Sequence, residues 1–232
     1  PPSMSAKAGI IGMTRAYGLA PLTDVISVRY NVLEAMRQAR QEIVITSPYL
    51  VPGERGMQAV REARARGVAL TLVTNSLATN DEPLVHVGYR RYRRQLLEAG
   101  VDLYEFSPLR IQRVQRLGLS GVTRFRLHSK TAVIDREVVY IGSMNFDPRS
   151  EVTNTEMGLI IRSPELAREM LRLAFLLRVE GAYRVVLDER GRLVWRTLDD
   201  AGEFNVDTEP ETNLLMRLWL ELLAPLAIEE LL

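Results

Sequence analysis

The chain contains no cysteine among its 232 residues. Disulfides and cysteine-ligated zinc are therefore excluded, while the cellular compartment stays open. No run of about 18 uncharged apolar residues is present, so the sequence predicts no transmembrane helix. Aromatic residues make up only 6% and the formal charge is +1, so net charge gives no sign of a polyanionic partner.

The remaining composition is that of an ordinary folded protein, with 47% hydrophobic and 25% charged residues. A length of 232 residues suits one domain, or one half of a two-lobed protein. Residues 1–24 are rich in Pro, Gly, Ser and Ala, and they begin at Pro1 without the pattern of a signal peptide. We expect this segment to be a linker or the remnant of an upstream half.

Apolar runs alternate with helical periodicities through the middle of the chain, which predicts an α/β fold with a mixed β-sheet flanked by helices on both faces. The basic stretch 108–124 is predicted as a loop. Helices are predicted at 25–41, 54–66, 84–100 and 163–180, and strands at 42–47, 68–74, 101–107, 124–135, 138–143 and 155–161.

The C-terminal part, 183–232, is predicted as a hairpin at 183–198 followed by a Leu-rich helix broken at Pro225. We expect it to pack on a domain formed by residues 25–182. Its leucines and Trp219 are compatible with core packing or with a position in a membrane interface.

The most informative string is LHSKTAVIDREVVYIGSMNFD, at 127–147. His128 and Lys130 are two apart on a predicted strand, so their side chains share one face. Imidazole can attack phosphorus or protonate a leaving oxygen near neutral pH, and an ammonium stabilises phosphate oxygens. Ser143 and Asn145 add hydrogen-bond donors, which makes this a phosphate-handling motif.

Four further residues belong to the predicted site. Gly142 lets the backbone come close to a ligand, and Asp135, at a strand end, is placed to brace the site rather than to touch phosphorus. Glu156, 28 residues after His128, is a candidate for the carboxylate that orients the histidine. Tyr49 follows a strand and is a candidate pocket wall.

The H-x-K, Asp and G-S-x-N pattern resembles the HKD motif of the phospholipase D superfamily. The strings TSPYLVP, GY-x-x-YR, FDPRS and NTEMG are similar to those of bacterial cardiolipin synthases, most like the C-type subgroup, over roughly 40–232. The resemblance implies a phospholipase D-like lobe that transfers phosphatidyl groups through a phosphohistidine, with a second histidine as general acid and base. We assign that second role to His128.

The resemblance also implies partners. It requires no metal or cofactor, and it points to phosphatidylglycerol or a similar phospholipid as substrate and to a membrane surface. The expected location is peripheral at the bacterial inner membrane, or cytoplasmic. Such enzymes pair two HKD motifs and this chain carries one, so the partner is a missing N-terminal half or a second copy in a homodimer.

Two alternatives remain open. The first is a dimeric phosphodiesterase or nuclease of the same superfamily, but the near-zero charge and the lack of clustered aromatic residues count against nucleic acid. The second is a catalytically silent half-domain that acts as a membrane-docking or interaction lobe.

Overall fold

The computed structural model describes residues 8–10, 28–112, 126–148, 150, 156–199 and 202–228. The helices in these ranges are α1 (Val28–Gln38), α2 (Gly53–Ala65), α3 (Pro83–Glu98), α4 (Pro108–Gln112), α5 (Pro164–Glu180) and α6 (Leu214–Leu223), the last followed by a 3-10 turn at Ala224–Leu226. The strands are β1 (Ala8–Ile10), β2 (Glu42–Thr46), β3 (Ala69–Asn75), β4 (Asp102–Phe106), β5 (Lys130–Ile134), β6 (Val138–Gly142), β7 (Gly158–Arg162), β8 (Ala182–Leu187), β9 (Leu193–Asp199) and β10 (Gly202–Val206).

These strands form one mixed sheet in the order β1-β7-β6-β5-β2-β3-β4-β8-β9-β10. β2, β3 and β4 are parallel and are connected by α2 and α3, as expected for short apolar strands separated by helices. The other pairings are antiparallel. The predicted mixed sheet is therefore confirmed.

Helices cover both faces of this sheet, also as predicted. Along β5, Ala132 and Ile134 join the large core beneath α1, α2 and α3, whereas Val133 packs against Ala167 of α5 on the other face. The period-2 alternation of a strand thus assigns neighbouring residues to two separate cores. Leu96 of α3 is fully buried in the larger core.

Local sequence signals set several element boundaries. Ser163 caps α5 by accepting the N–H of Leu166 at 3.2 Å, and Pro164 follows it in the first turn. The tight turn between β5 and β6 spans 135–137 and places Asp135 and Arg136 at positive φ, the conformation of the two central residues of a type I′ turn.

Some boundaries differ from the prediction. β5 begins at Lys130 rather than at 124, so the prediction that His128 lies on a strand is wrong, and 126–129 form an irregular segment. Residues 108–112, predicted as loop, form α4, while 113–125 lie outside the described residues. In the predicted linker 1–24 only Ala8–Ile10 is described, and it pairs with β7.

The C-terminal part extends the same sheet. The predicted hairpin is formed by β8 and β9, and β8 pairs with β4 at the edge of the parallel strands. β10 adds a strand that the sequence did not predict. Within the described ranges, no helix combines the length and apolar character needed to cross a bilayer.

Candidate active site

The candidate site lies where the ends of five strands meet, at the edge of the sheet that runs across the strand ends rather than along an outermost strand. β2 and β3 end there at Thr46 and Asn75. Because β5 runs antiparallel to β2, it begins at this edge, and Lys130 pairs with Gly142 at the end of β6. Gly142 in turn faces Gly158, the first residue of β7. Carboxyl ends of parallel strands are the usual position of ligands in α/β sheets.

The imidazole and the ammonium of the motif are in contact at this edge. Lys130 Nζ lies 3.3 Å from His128 Nε2 and donates to the His128 carbonyl at 3.0 Å. A charged lysine only donates hydrogen bonds, so this contact makes His128 Nε2 the acceptor. His128 is exposed, whereas Lys130 is largely buried. The histidine is therefore accessible to a ligand, with the lysine held behind it.

Lys130 is surrounded by acidic side chains. Burial, which disfavours a charged amine, holds the pKa of Lys130 below its usual value, although Glu156, Asp147 and Asp81 all act to raise it. Within the described residues, no group of three or more histidine or acidic side chains is arranged as a metal site. Within this cluster, the Lys130 ammonium is the group that can attract an anionic ligand.

Asn75 fixes the segment that carries His128. Its side-chain Oδ1 accepts the N–H of Leu127 at 3.1 Å, and its Nδ2 donates to the Leu127 carbonyl at 3.1 Å. Nδ2 also lies 3.3 Å from the carbonyl of Pro48, in the loop after β2. Because Asn75 is 1% exposed, these bonds are shielded from water. The residue before the histidine is thus anchored to the end of β3.

Glu156 lies at the site but has a different partner from the one predicted. Its carboxylate accepts a hydrogen bond from Ser143 Oγ, and no hydrogen bond joins it to His128, both residues being within the described part. Ser143 Oγ also accepts the N–H of Met157 at 2.9 Å. In this structure Glu156 therefore orients Ser143 and acts on Lys130, rather than contacting the imidazole.

Gly142 and Asn145 are also at this edge. A side chain at Gly142 would meet the Tyr140 hydroxyl, and its Cβ would lie 2.5 Å from the Met157 carbonyl oxygen, so glycine is required by internal crowding rather than by ligand approach. Asn145 is half-buried, and its Oδ1 has no hydrogen-bond partner among the described residues.

The predicted pocket wall, Tyr49, belongs to a polar chain beside the site. Its hydroxyl donates to Asp81 Oδ1 at 2.8 Å, and Arg126 Nη1 lies 3.0 Å from Asp81 Oδ2. Burial and the hydrogen bond to Asp81 raise the pKa of Tyr49 well above its usual value. Although burial acts to raise it, the bond from Tyr49 and the charge of Arg126 hold the pKa of Asp81 low.

Asp135 does not belong to this site. It lies after the last residue of β5, about 16 Å from Lys130 at the rise of an extended strand. Its carboxylate accepts the backbone N–H groups of Arg40, Gln41 and Glu42 at 2.9, 2.8 and 3.1 Å. Although burial acts to raise it, these bonds hold the pKa of Asp135 below its usual value. The expectation that it braces the site is corrected: it ties β5 to the start of β2.

Three residues of the site were not predicted: Asn75, Asp81 and Asp147. Asn75 and Asp81 follow the apolar run of β3, so polar residues at a strand's carboxyl end were the available signal. Asp147 stands at the end of the motif string itself and is buried. Its backbone neighbour Phe146 forms a bridge with Leu50, which brings this segment beside the loop after β2.

The fold and the site define a phospholipase D-like domain. Residues 32–174 match the family model described as "Cardiolipin synthase, PLD-like domain". The chain belongs to this family, and the resemblance drawn from the motif strings is confirmed.

Curated relatives agree with this assignment. The chain is 37% identical over 204 residues to cardiolipin synthase C of Escherichia coli (strain K12), covering 87% of this chain and 43% of that protein. It is 34% identical over 143 residues to cardiolipin synthase A of Buchnera aphidicola, covering 62% of this chain and 26% of the relative. The chain thus spans less than half the length of these relatives.

Solved structures share the fold. Nuc from Salmonella typhimurium, a phospholipase D family member, aligns with a TM-score of 0.54 at 22% identity, over 69% of this chain and 91% of that one. Phosphatidylserine synthase of Haemophilus influenzae Rd KW20 aligns with a TM-score of 0.56 at 14% identity, over 89% of this chain and 45% of that one.

Proposed function

We propose that this chain supplies one HKD half of a phospholipase D-type phosphatidyltransferase that makes cardiolipin or a related lipid. The observation that carries the proposal is the contact between His128 Nε2 and Lys130 Nζ at 3.3 Å, at the sheet edge that also holds Ser143 and Asn145. Membership of the cardiolipin synthase family supports phosphatidylglycerol, or a similar phospholipid, as the substrate.

The proposed chemistry has two steps. A nucleophilic histidine from a second HKD motif attacks the phosphorus of the lipid and forms a P–N bond, while His128 gives a proton to the oxygen of the departing alcohol. His128 then takes a proton from the incoming alcohol, whose oxygen displaces the histidine from phosphorus. A hydroxyl of phosphatidylglycerol as acceptor yields cardiolipin, and water yields phosphatidic acid.

The remaining residues of the site act on charge and orientation. When the phosphate enters, its oxygens become the acceptors of the Lys130 ammonium, and His128 Nε2 is then free to take up a proton from water, the proton that it gives to the departing alcohol. The Asn145 amide adds a donor to a non-bridging oxygen. Glu156 holds Ser143, and its negative charge keeps Lys130 protonated against the effect of burial.

The second histidine cannot come from the same copy of the chain. The sequence holds two histidines, and the other one, His86, is 0% exposed on α3 beside Arg93 and Glu209. A two-histidine mechanism therefore requires a second copy of this chain or a further HKD-bearing segment. A single folded copy is expected to be silent.

The proposal is tested by measuring solution mass with light scattering and, in parallel, conversion of labelled phosphatidylglycerol in vesicles. We expect turnover only where the mass shows a dimer or where a second HKD half is added, and we expect His128→Ala to abolish it. Asp135→Asn is the matched control, since it changes the same motif about 16 Å away from Lys130 and should keep turnover.

Two outcomes contradict the proposal. Full lipid turnover by a monomer would refute the composite site. Cleavage of DNA, with His128→Ala inactive on DNA and the parent inactive on lipid, would replace the transferase by a nuclease of the same superfamily.

A further inference from the structure

The C-terminal segment made of α6 and the turn that follows it, 214–228, is apolar on two opposite sides, and only one of them is covered. Leu220 and Ala227 are buried on the inner side, against the core. The outer side carries large side chains that are each more than half exposed, and we call them the C-terminal apolar face: Leu214, Leu215, Leu218, Trp219, Leu222, Leu226 and Ile228. A helix that is apolar all round is normally enclosed on all sides.

This face is held in a fixed position. Asn213 caps α6 by accepting the N–H of Met216 at 2.8 Å, and Arg91 of α3 donates to the Ala224 carbonyl at 3.0 Å. The acidic residue of α6, Glu221, is paired with Arg90 at 2.7 Å. The leucines are therefore presented on a rigid support, in a contiguous patch of the kind that marks an interaction site.

Arginine side chains of α3 border the face. Arg90 pairs with Glu221 of α6 and Arg94 pairs with Glu98, whereas Arg91 donates to the neutral carbonyl of Ala224, in the turn after α6, and so brings a positive charge to this border. An apolar face that contains a tryptophan and is bordered by arginines matches a helix that lies in the surface of an anionic bilayer. Indole rings favour that depth because they combine an apolar body with a polar N–H.

The face is also close to the candidate site. Helix α3 begins at Pro83, two residues after Asp81 of the site, and reaches Arg90 about 11 Å further along its axis. One rigid segment of helix thus links the edge that holds the phosphate-handling residues to the apolar face.

We infer that the C-terminal apolar face is a docking surface for a bilayer that contains anionic phospholipid, and that it presents the candidate site to lipid headgroups. The inference rests on the proposed function for the identity of the lipid. It adds the surface, and the residues of that surface, through which this chain meets its substrate.

The test is cosedimentation with vesicles made of equal parts phosphatidylcholine and phosphatidylglycerol. The protein carries His128→Ala throughout, so that binding is measured without turnover. We expect Leu215→Ser, Leu218→Ser and Leu222→Ser together to lower the partition coefficient about tenfold or more, because insertion scales with the apolar area buried. Vesicles of phosphatidylcholine alone should bind the unsubstituted face more weakly.

The matched control is a second triple variant, Leu173→Ser, Phe175→Ser and Val179→Ser. These side chains are exposed on α5, which packs on the opposite face of the sheet from α3. We expect this variant to bind vesicles like the parent. Circular dichroism of both variants establishes that they are folded.

The inference is overturned if the parent does not bind the mixed vesicles, or if both triple variants lose binding equally. It is also overturned if the α6 variant turns a dimer into a monomer on light scattering while it still binds vesicles, since the face would then join two copies. Normal vesicle binding would leave this surface intact even if the protein that keeps His128 showed no turnover as a dimer or with a second HKD half, a result that would refute the proposed function alone.

Discussion

At the residue scale, the position of His128 depends on an amide that lies 53 residues before it in the chain. Asn75 pairs with both backbone groups of Leu127, as a neighbouring strand would. The segment 126–129 has no regular structure, so this side chain takes the place of backbone pairing just before the histidine.

We predict that Asn75→Ala lowers both stability and turnover. The substitution leaves the buried N–H and carbonyl of Leu127 without partners, which costs about 2–4 kcal/mol in the free energy of unfolding. Urea denaturation and lipid turnover measure the two effects. Asn80→Ala is the control, because the Asn80 side chain accepts the N–H of Glu82, two residues further along, in a bond that solvent reaches. Unchanged turnover in Asn75→Ala would show that the amide does not position His128.

At this scale, motif spacing predicted which of the polar residues lie together. His128, Lys130, Ser143 and Glu156 do meet at one edge, because β5, β6 and β7 are consecutive antiparallel strands. Asp135 was misplaced because it follows the far end of β5, the five-residue strand that begins at Lys130. The sequence could not assign a role to Asn75, because its partner Leu127 is distant in sequence and is contacted only through its backbone N–H and carbonyl.

At the element scale, α3 is attached to the C-terminal part by a buried ionic cluster. Arg93 Nε lies 2.8 Å from Glu105 of β4, and its Nη1 donates to Glu209 at 2.8 Å. Glu105 also accepts from Tyr89 and from Trp195 of β9, each at 2.7 Å. The guanidinium lies over both aromatic rings. The Arg93 side chain thus joins α3 to β4, to β9 and to the segment after β10 that carries Glu209.

Breaking this cluster should be far more costly than breaking a surface pair. We predict that Arg93→Met destabilises the protein by about 3–5 kcal/mol, because two buried carboxylates lose their countercharge. Arg94→Met, the next residue on the same helix, removes only an exposed pair with Glu98 and should cost about 0.5 kcal/mol or less. Denaturant unfolding of the two variants compares them directly; equal losses would contradict the prediction.

The same cluster determines in which direction the free energy of unfolding changes with pH. Burial acts to raise the pKa of Glu209, but the charge of Arg93 and the contact with His86 outweigh it and hold the pKa well below its usual value. The stabilisation is therefore complete above the ordinary glutamate pKa and is lost as the pH falls through the lowered one. We expect the Arg93→Met variant to lack this loss of unfolding free energy at acid pH, and denaturant unfolding at a series of pH values measures it.

Sequence periodicity located the longer elements well because each has a distinct apolar pattern. The parallel strands and α2, α3 and α5 lie within a few residues of their predicted positions. β1 and β10 were not predicted, since each pairs at an edge of the sheet and needs no continuous apolar run. The predicted strand at β5 began too early because Leu127, just before it, is apolar and buried although it does not belong to a strand.

At the scale of the whole molecule, the C-terminal part is continuous with the sheet and the core. We predict that a chain ending at Gly181 does not unfold cooperatively. The truncation exposes the edge of β4. It also removes the hydrogen bond from Trp195 to Glu105 and the partner of Arg93, Glu209. Thermal unfolding followed by circular dichroism tests this. A chain ending at 228 is the control and should melt like the parent; a sharp transition in the shorter chain would refute the prediction.

The crowding at Gly142 has a consequence for how this chain can change. The Tyr140 hydroxyl occupies the space of a side chain at 142 and also accepts the N–H of Met144 at 3.2 Å. Positions 140 and 142 are therefore not independent, and the effects of substituting them should not add. A change at one alters which residues the other tolerates, so variation at this edge of the sheet is confined to coordinated replacements.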